Sequence, residues 1–173
     1  MWVVADPALW SWQAKLWPNR PWTLWTASLV HLSIAHLLGN LAALLVIGLL
    51  GVYVGATRGC VAALLHAWPL GTMALGLWPQ LERYAGLSGT LCAMLAILAV
   101  HASTDRTLRP VSLVLFASLA LKLLAEHAWS QPIGYDPAWG FNVVYAAHLT
   151  GAAAGAAAAA AAALMVWRKP QVP

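Results

Sequence analysis

The chain has 173 residues, of which 62% are hydrophobic and 8% are charged, and its mean hydropathy is +0.74. Soluble domains carry about 25% charged residues, so this composition excludes a water-soluble protein and predicts one integral membrane domain. The formal net charge of +4 forms no basic stripe, which excludes nucleic acid as a partner. Its two cysteines, Cys60 and Cys92, lie in or beside apolar runs and predict neither a disulfide framework nor a metal site.

The first 32 residues are rich in tryptophan and are interrupted by prolines and charges. Six of the eleven tryptophans fall in this segment: Trp2, Trp10, Trp12, Trp17, Trp22 and Trp25. Tryptophan is typical of the membrane–water interface, and Pro7, Pro18 and Pro21 prevent an uninterrupted helix across the bilayer. We therefore expect residues 1–32 to form an interfacial N-terminal segment.

Five apolar runs follow at 33–53, 59–77, 87–102, 111–125 and 143–167. Each is near the roughly 20 residues that a helix needs to cross a bilayer. They predict an all-α, polytopic transmembrane core over residues 33–167, followed by a short tail, 168–173. The connection between the fourth and fifth runs contains several prolines and glycines and predicts a loop.

The basic residues predict how the chain is oriented in the membrane. Five alternating spans put five of them on one side (Arg58, Arg106, Arg109, Arg168 and Lys169) and three on the other (Lys15, Arg20 and Arg83). Cytoplasmic loops are enriched in lysine and arginine, so the first side, with the tail, is predicted to be cytoplasmic. The N-terminus is then outside, and we expect a further helix ahead of the first residue.

Ser88 opens the third run between two glycines, Gly86 and Gly89. Glycine allows backbones and partner helices to approach closely. A serine in the first turn of a helix also lies among free backbone N–H groups, which can stabilise an oxyanion. The same pattern is common around serines that only pack helices together. Its interpretation therefore depends on whether a base and further oxyanion donors lie at the same depth in the membrane.

His148 lies near the start of the fifth run, which enters the membrane from the same side. Gly151 and Gly155 follow it at i+3 and i+7 and form a small-residue face that draws a partner helix close. If that partner is the Ser88 helix, the imidazole Nε2 can reach the serine hydroxyl and activate it as a nucleophile. The alternative is an interhelical hydrogen bond.

Two further pairs of polar residues have i, i+4 spacing. His36 and Asn40 lie near the start of the first run and share a helix face, so both can donate towards one point. Interhelical hydrogen bonding is the alternative for that pair. Lys122 and Glu126 predict a structural ion pair near the end of the fourth helix.

Taken together, these motifs resemble those of the rhomboid intramembrane serine proteases. The resembling segments are His36-x-x-x-Asn40, Gly86-Leu87-Ser88-Gly89 and Ala147-His148-x-x-Gly151-x-x-x-Gly155, in the order that the family has them. The resemblance implies a rhomboid-like helical bundle with a catalytic Ser88–His148 dyad and no acidic third member. It also implies that His36 and Asn40 join the Ser88 N–H in holding the oxyanion.

The activity implied is a serine endopeptidase without cofactor or metal. Its partners would be membrane-anchored protein substrates within the lipid bilayer, cleaved near the outer membrane face. The expected location is a cell inner membrane, with the active site opening to the periplasm. Rhomboids commonly carry Tyr or His four residues after the serine, packed on the histidine, whereas this chain has Cys92.

The small size of the chain and its segments Trp22-Thr23-Leu24-Trp25-Thr26 and Leu121-Lys122-Leu123-Leu124-Ala125-Glu126 resemble the rhombosortase branch. That branch is associated with proteins that end in Gly-Gly, a hydrophobic helix and a basic tail. Two other functions were weighed. The intact Ser/His pair argues against a catalytically inactive rhomboid-like protein that binds membrane helices. The lack of buried acidic residues across the spans, apart from Glu126 at a helix end, argues against a proton-coupled transporter.

Overall fold

The computed structural model describes residues 7–167, and within that range the chain forms seven α-helices and two small β-sheets. The predicted tail 168–173, with Arg168 and Lys169, lies outside the described residues, as does Trp2. Two single-turn helices, α1 (Pro7–Trp10) and α2 (Thr23–Thr26), come first. Five long helices follow: α3 (Ile34–Tyr53), α4 (Arg58–Met73), α5 (Ser88–Ser103), α6 (Arg109–Ala125) and α7 (Tyr145–Trp167).

The five long helices lie within a few residues of the five predicted runs, and the predicted helical membrane fold is confirmed. Three helical stretches are long and apolar enough to cross a membrane: Ile34–Tyr53, Arg58–Leu77 and Tyr145–Met165, with mean hydropathies of 2.1, 1.5 and 1.4. The second reaches this length because a 3₁₀ turn, Ala74–Leu77, extends α4. Helices α5 and α6 are shorter, with 16 and 17 residues.

Large apolar side chains point outward around the bundle. Ile34, Val52 and Leu113 are each more than two thirds exposed. Soluble monomers rarely expose contiguous apolar surface on this scale, since water solvates it poorly. Lipid chains are the solvent that such a surface requires.

Helix α5 is the centre of the bundle. Ten of its sixteen residues are buried, and it contacts α3, α4, α6 and α7. Its packing surface is built from small side chains, with Ala93, Ala96 and Ala99 almost completely buried. Small residues allow close helix approach, which in a membrane supplies the dispersion contacts that hold helices together.

The closest approach in the bundle is between α5 and α7. A Cβ atom on Gly151 would overlap the carbonyl oxygen of Gly89, and one on Gly155 would overlap that of Ala93. From the other side, a Cβ on Gly89 would lie 2.8 Å from the carbonyl oxygen of Ala147. The serine helix is therefore the partner of the glycine face of α7.

The tryptophan-rich segment folds back onto the connection that precedes α5. Strand β1 (Trp12–Gln13) pairs antiparallel with β2 (Arg83–Tyr84). Trp12 is fully buried in a cluster with Leu24, Ala27, Leu75, Leu81, Tyr84, Ala146 and Ala147. The segment is thus a packed part of the fold, while its position at the lipid headgroups stays a prediction.

The long connection between α6 and α7 contains a hairpin where the sequence predicted only a loop. Strands β3 (Gly134–Asp136) and β4 (Phe141–Val143) pair antiparallel. Gly140 has a φ of +74° in the hairpin turn, a conformation that favours glycine. The hairpin carries Trp139 and Phe141 over the start of α3, where their rings lie 5.8 and 5.0 Å from that of His36.

The contact between α5 and α7 predicts that Gly151→Ala destabilises the protein. The new methyl group must push two backbones apart, and overpacking of this kind typically costs about 1–3 kcal/mol. The matched control is Gly48→Ala, because a Cβ there meets nothing within 4 Å and alanine favours a helix. Thermal unfolding in detergent should show a lower midpoint for Gly151→Ala alone, and equal midpoints for the two variants would contradict the direct contact.

Candidate active site

Ser88 is the first residue of α5 and follows a sharply bent connection. Backbone N–H groups in the first turn of a helix have no partner within the helix. Gly86 has a φ of +125°, which L side chains rarely adopt. A Cβ on Gly86 would also lie 2.8 Å from Cε1 of His36, so this position requires glycine for its conformation and for its space.

His148 lies one turn into α7 and faces Ser88. Its Nε2 is 2.8 Å from the Ser88 Oγ, and the residue is only 3% exposed. The pair is brought together by the glycine contact between α5 and α7. A serine hydroxyl that donates to an unprotonated imidazole nitrogen is the arrangement that an activated nucleophile needs.

Glu126 joins the pair on the far side of the imidazole. Its Oε2 is 2.7 Å from Nδ1 of His148, and its Oε1 is 2.6 Å from Nζ of Lys122. The predicted Lys122–Glu126 ion pair is present. The prediction did not include the contact of the same carboxylate with His148. The resemblance implied a dyad with no acidic third member; here a carboxylate contacts the imidazole, because α6 ends beside the first turn of α7.

The Glu126 carboxyl lies just beyond the last residue of α6 and is partly buried. Burial raises its pKa, but the hydrogen bond and charge of His148, together with those of Lys122, outweigh burial and hold the pKa below its ordinary value. The group is therefore ionised at neutral pH. An ionised carboxylate only accepts hydrogen bonds.

His36 and Asn40 lie on one face of α3, and both are buried. The Ser33 hydroxyl caps this helix by accepting from the His36 N–H at 3.1 Å. This cap fixes the start of α3 just before His36. Among the described residues, His36 Nδ1 and Asn40 Nδ2 have no hydrogen-bond partner. A buried polar group left unpaired costs about 1–3 kcal/mol, and these two residues share this feature with Ser11, Trp12 and His31.

Two cavities meet at Ser88. The larger, of about 420 Å³, lies between α3 and α6, and its wall includes His36, Asn40, Ser88, Lys122, Glu126 and His148. The smaller, of about 110 Å³, lies on the other side of the serine, beside Ile133 and Phe141. Because a water molecule occupies about 30 Å³ in the liquid, the larger cavity has room for several waters next to the hydroxyl.

The connection before Ser88 is held by residues that the sequence motifs did not identify. The carbonyl oxygen of Ala27 accepts from the Gly86 N–H at 2.9 Å, and the Tyr84 hydroxyl donates to the Gly86 carbonyl at 2.6 Å. The hydroxyls of Ser28 and Thr90 lie 3.0 Å apart. The contacts of Ala27 and Ser28 join parts of the chain about 60 residues apart, so local spacing gave no signal of them.

Cys92 lies four residues after Ser88 and is buried in the wall of the larger cavity. It packs with Ala96, Leu119 and Ala152. The aromatic neighbour of His148 is instead Tyr145, whose ring centroid lies 6.2 Å away. Within residues 7–167, no group of three or more His, Cys, Asp or Glu side chains could hold a metal ion.

Comparison with sequence models of known families matches residues 18–164 to the Rhomboid domain. The match covers most of the chain and includes His36, Asn40, Ser88, Glu126 and His148. No curated protein and no solved structure matches the chain.

Proposed function

The chain belongs to the rhomboid family of membrane proteins, and we propose that it is an active intramembrane serine endopeptidase. Members of this family are usually intramembrane serine proteases that act on membrane-embedded substrates, although inactive homologues exist. The observation that carries the proposal is the 2.8 Å contact between Ser88 Oγ and His148 Nε2. An inactive protein that only binds membrane helices has no need of this pairing.

The reaction begins when a substrate helix unwinds near its outer end and an extended peptide enters the larger cavity. His148 Nε2 takes the hydroxyl proton while Ser88 Oγ bonds to the carbonyl carbon, and the C=O π electrons move onto the oxygen. The C–N bond then breaks, and His148 returns the proton to the leaving amine. Water attacks the acyl-enzyme with the same base, which releases the acid and restores the serine.

The oxyanion is held by the Ser88 N–H and by the side chains of His36 and Asn40. Support comes from the buried Nδ1 of His36 and Nδ2 of Asn40, which have no partner among the described residues. Preorganised donors of this kind stabilise charge that develops in the transition state, without having to reorient during the reaction.

The substrate class that fits best has small residues at the cut site, such as the Gly-Gly tails associated with the rhombosortase branch. The cavity beside Ile133 is only about 110 Å³. The edge of the Trp139 ring also lies against Gly39, where a Cβ would approach to 2.7 Å. A bulky side chain on the Ile133 side of the serine would crowd the walls of the smaller cavity.

We assign the protein to a cell inner membrane, with Ser88 opening to the periplasmic side. Following the chain through alternating helices, Arg58, Arg106 and Arg109 lie at the helix ends opposite Ser88. The positive-inside rule then makes those ends cytoplasmic. Within this arrangement residues 33–167 form the transmembrane core and residues 1–32 the interfacial segment.

Ser88→Ala and His148→Ala should each abolish cleavage of a membrane-anchored reporter while leaving the protein folded and inserted. The first removes the nucleophile and the second removes its base. Ser103→Ala and His66→Ala are matched controls on exposed positions and should cleave normally. Labelling of the purified wild type with a fluorophosphonate, absent in Ser88→Ala, checks the nucleophile directly; a wild type that neither labels nor cleaves would identify an inactive homologue.

His36→Ala and Asn40→Ala should each lower the cleavage rate by roughly 100- to 1,000-fold, the usual effect of losing one oxyanion donor. The double variant should be slower than either single variant, but not additively, because both donors serve one charge. Asn19→Ala, at an exposed position, is the control. Wild-type cleavage by both single variants would leave this pair with a packing role only.

A reporter with Gly-Gly at the cut site should be cleaved faster than one with Leu-Leu, because the smaller cavity, at about 110 Å³, fits a small side chain with less crowding than a branched one. Ile133→Ala should narrow the difference by enlarging that cavity. The measurement is the ratio of cleavage rates for the two reporters in each variant. If the wild type cleaves both reporters equally, the Gly-Gly assignment is wrong.

A further inference from the structure

We infer that Glu126 is the positioning residue of His148, and that the site works as a Ser88–His148–Glu126 triad. The inference rests on the proposed protease function and adds to it. Its basis is a continuous chain of short contacts: Oγ to Nε2 at 2.8 Å, Nδ1 to Oε2 at 2.7 Å, and Oε1 to the Lys122 Nζ at 2.6 Å.

The carboxylate determines which imidazole nitrogen carries the proton. A carboxylate cannot donate, so the 2.7 Å contact requires the hydrogen on Nδ1 of His148. In neutral histidine the other nitrogen, Nε2, is then an acceptor. That is the nitrogen that faces the Ser88 hydroxyl, so Glu126 selects the tautomer that can act as a base.

The exposure of the three charged or polar groups supports this role over a simple ion pair. The side chain of Lys122 is 44% exposed, that of Glu126 is 16% exposed and that of His148 is 3% exposed. A surface ion pair contributes little and could form without any contact to the bundle interior. Here one carboxylate oxygen faces the lysine at the exposed side and the other faces the buried imidazole.

The residue at the position of Cys92 adds a second reason. No aromatic ring packs on His148 from there, since Cys92 contacts Ala96, Leu119 and Ala152. Beside the Tyr145 ring, 6.2 Å away, the imidazole is oriented by the hydrogen bonds at its two ring nitrogens. Glu126 supplies the one that does not involve the reacting serine.

The same carboxylate stabilises the charge that appears during the reaction. When Nε2 takes the serine proton, the ring becomes an imidazolium with Glu126 beside its Nδ1 proton. That proton stays on Nδ1, and the carboxylate remains ionised throughout. Lys122 contacts only the carboxylate oxygen that faces away from the imidazole. The loss of Lys122 should therefore lower the reaction rate less than the loss of Glu126 does.

The first test measures the rate at which a fluorophosphonate labels Ser88 in purified protein. Glu126→Gln keeps the size of the side chain but removes its charge, and the maximal labelling rate should fall by about 10- to 150-fold, the worth of a hydrogen bond to a charged group. The reagent concentration that gives half the maximal rate should change far less than the maximal rate. Glu126 is part of the wall of the larger cavity, but it is bonded to Nδ1 of His148, on the opposite side of the imidazole from the Ser88 hydroxyl. Glu82→Gln, at an exposed position, is the matched control.

Glu126→Asp serves as the conservative variant because it retains the charge. It should label faster than Glu126→Gln even though its side chain is shorter. A Gln variant that labels as fast as the wild type, or as fast as the Asp variant, would overturn the inference. A wild type that does not label at all would instead count against the proposed protease function.

The second test does not depend on activity. With ¹⁵N-labelled histidine, the His148 signals can be assigned as those missing from His148→Gln, and they report which ring nitrogen is protonated. The wild type should show protonated Nδ1, and Glu126→Ala should shift the population towards the other tautomer. An unchanged tautomer ratio in Glu126→Ala would overturn the inference even in a protein without measurable activity.

Discussion

The site depends on the direct backbone contact between α5 and α7. At Gly89, Gly151 and Gly155 there is no room for even one methyl group on the facing surfaces. In lipid, helices gain no hydrophobic driving force from meeting each other, so their association relies on close packing and polar contacts. A contact this tight fixes the axial position of one helix on the other, and with it the distance between two side chains that are 60 residues apart in sequence.

Around this contact, four polar side chains form one continuous network at the same end of the bundle. The network begins at the exposed Lys122, passes through the half-buried carboxylate of Glu126 and the buried imidazole of His148, and ends at Ser88. Polar groups are expensive within a membrane and are usually paired there. Nδ1 of His36 and Nδ2 of Asn40 are among the buried polar atoms that lack a partner in the described residues, and both residues line the larger cavity together with Ser88.

The sequence predicted the five long helices because each is a run of apolar residues of nearly bilayer length. It also predicted the approach of Ser88 to His148, because glycines at i+3 and i+7 from the histidine indicate which face must meet a partner. It did not predict the role of Glu126, since the i, i+4 lysine gave the carboxylate a sufficient partner on its own helix. The pairing of Trp12 with Tyr84 and the hairpin at Gly134–Val143 were missed for another reason: two- and three-residue strands carry no periodicity, and their partners are set by tertiary packing.

The contacts of the N-terminal segment with the region around Ser88 affect when the site can assemble during synthesis. The hydroxyl of Ser28 meets that of Thr90, 62 residues later, and the Ala27 carbonyl holds the Gly86 N–H. The connection before Ser88 therefore lacks these contacts until both regions have left the ribosome. His148, the base in the proposed mechanism, follows only with α7, the last of the described helices. At about 5–20 residues per second of synthesis, several seconds pass between these events. During that interval the nascent chain carries Ser88 without His148, so the proposed dyad cannot form before the bundle is complete.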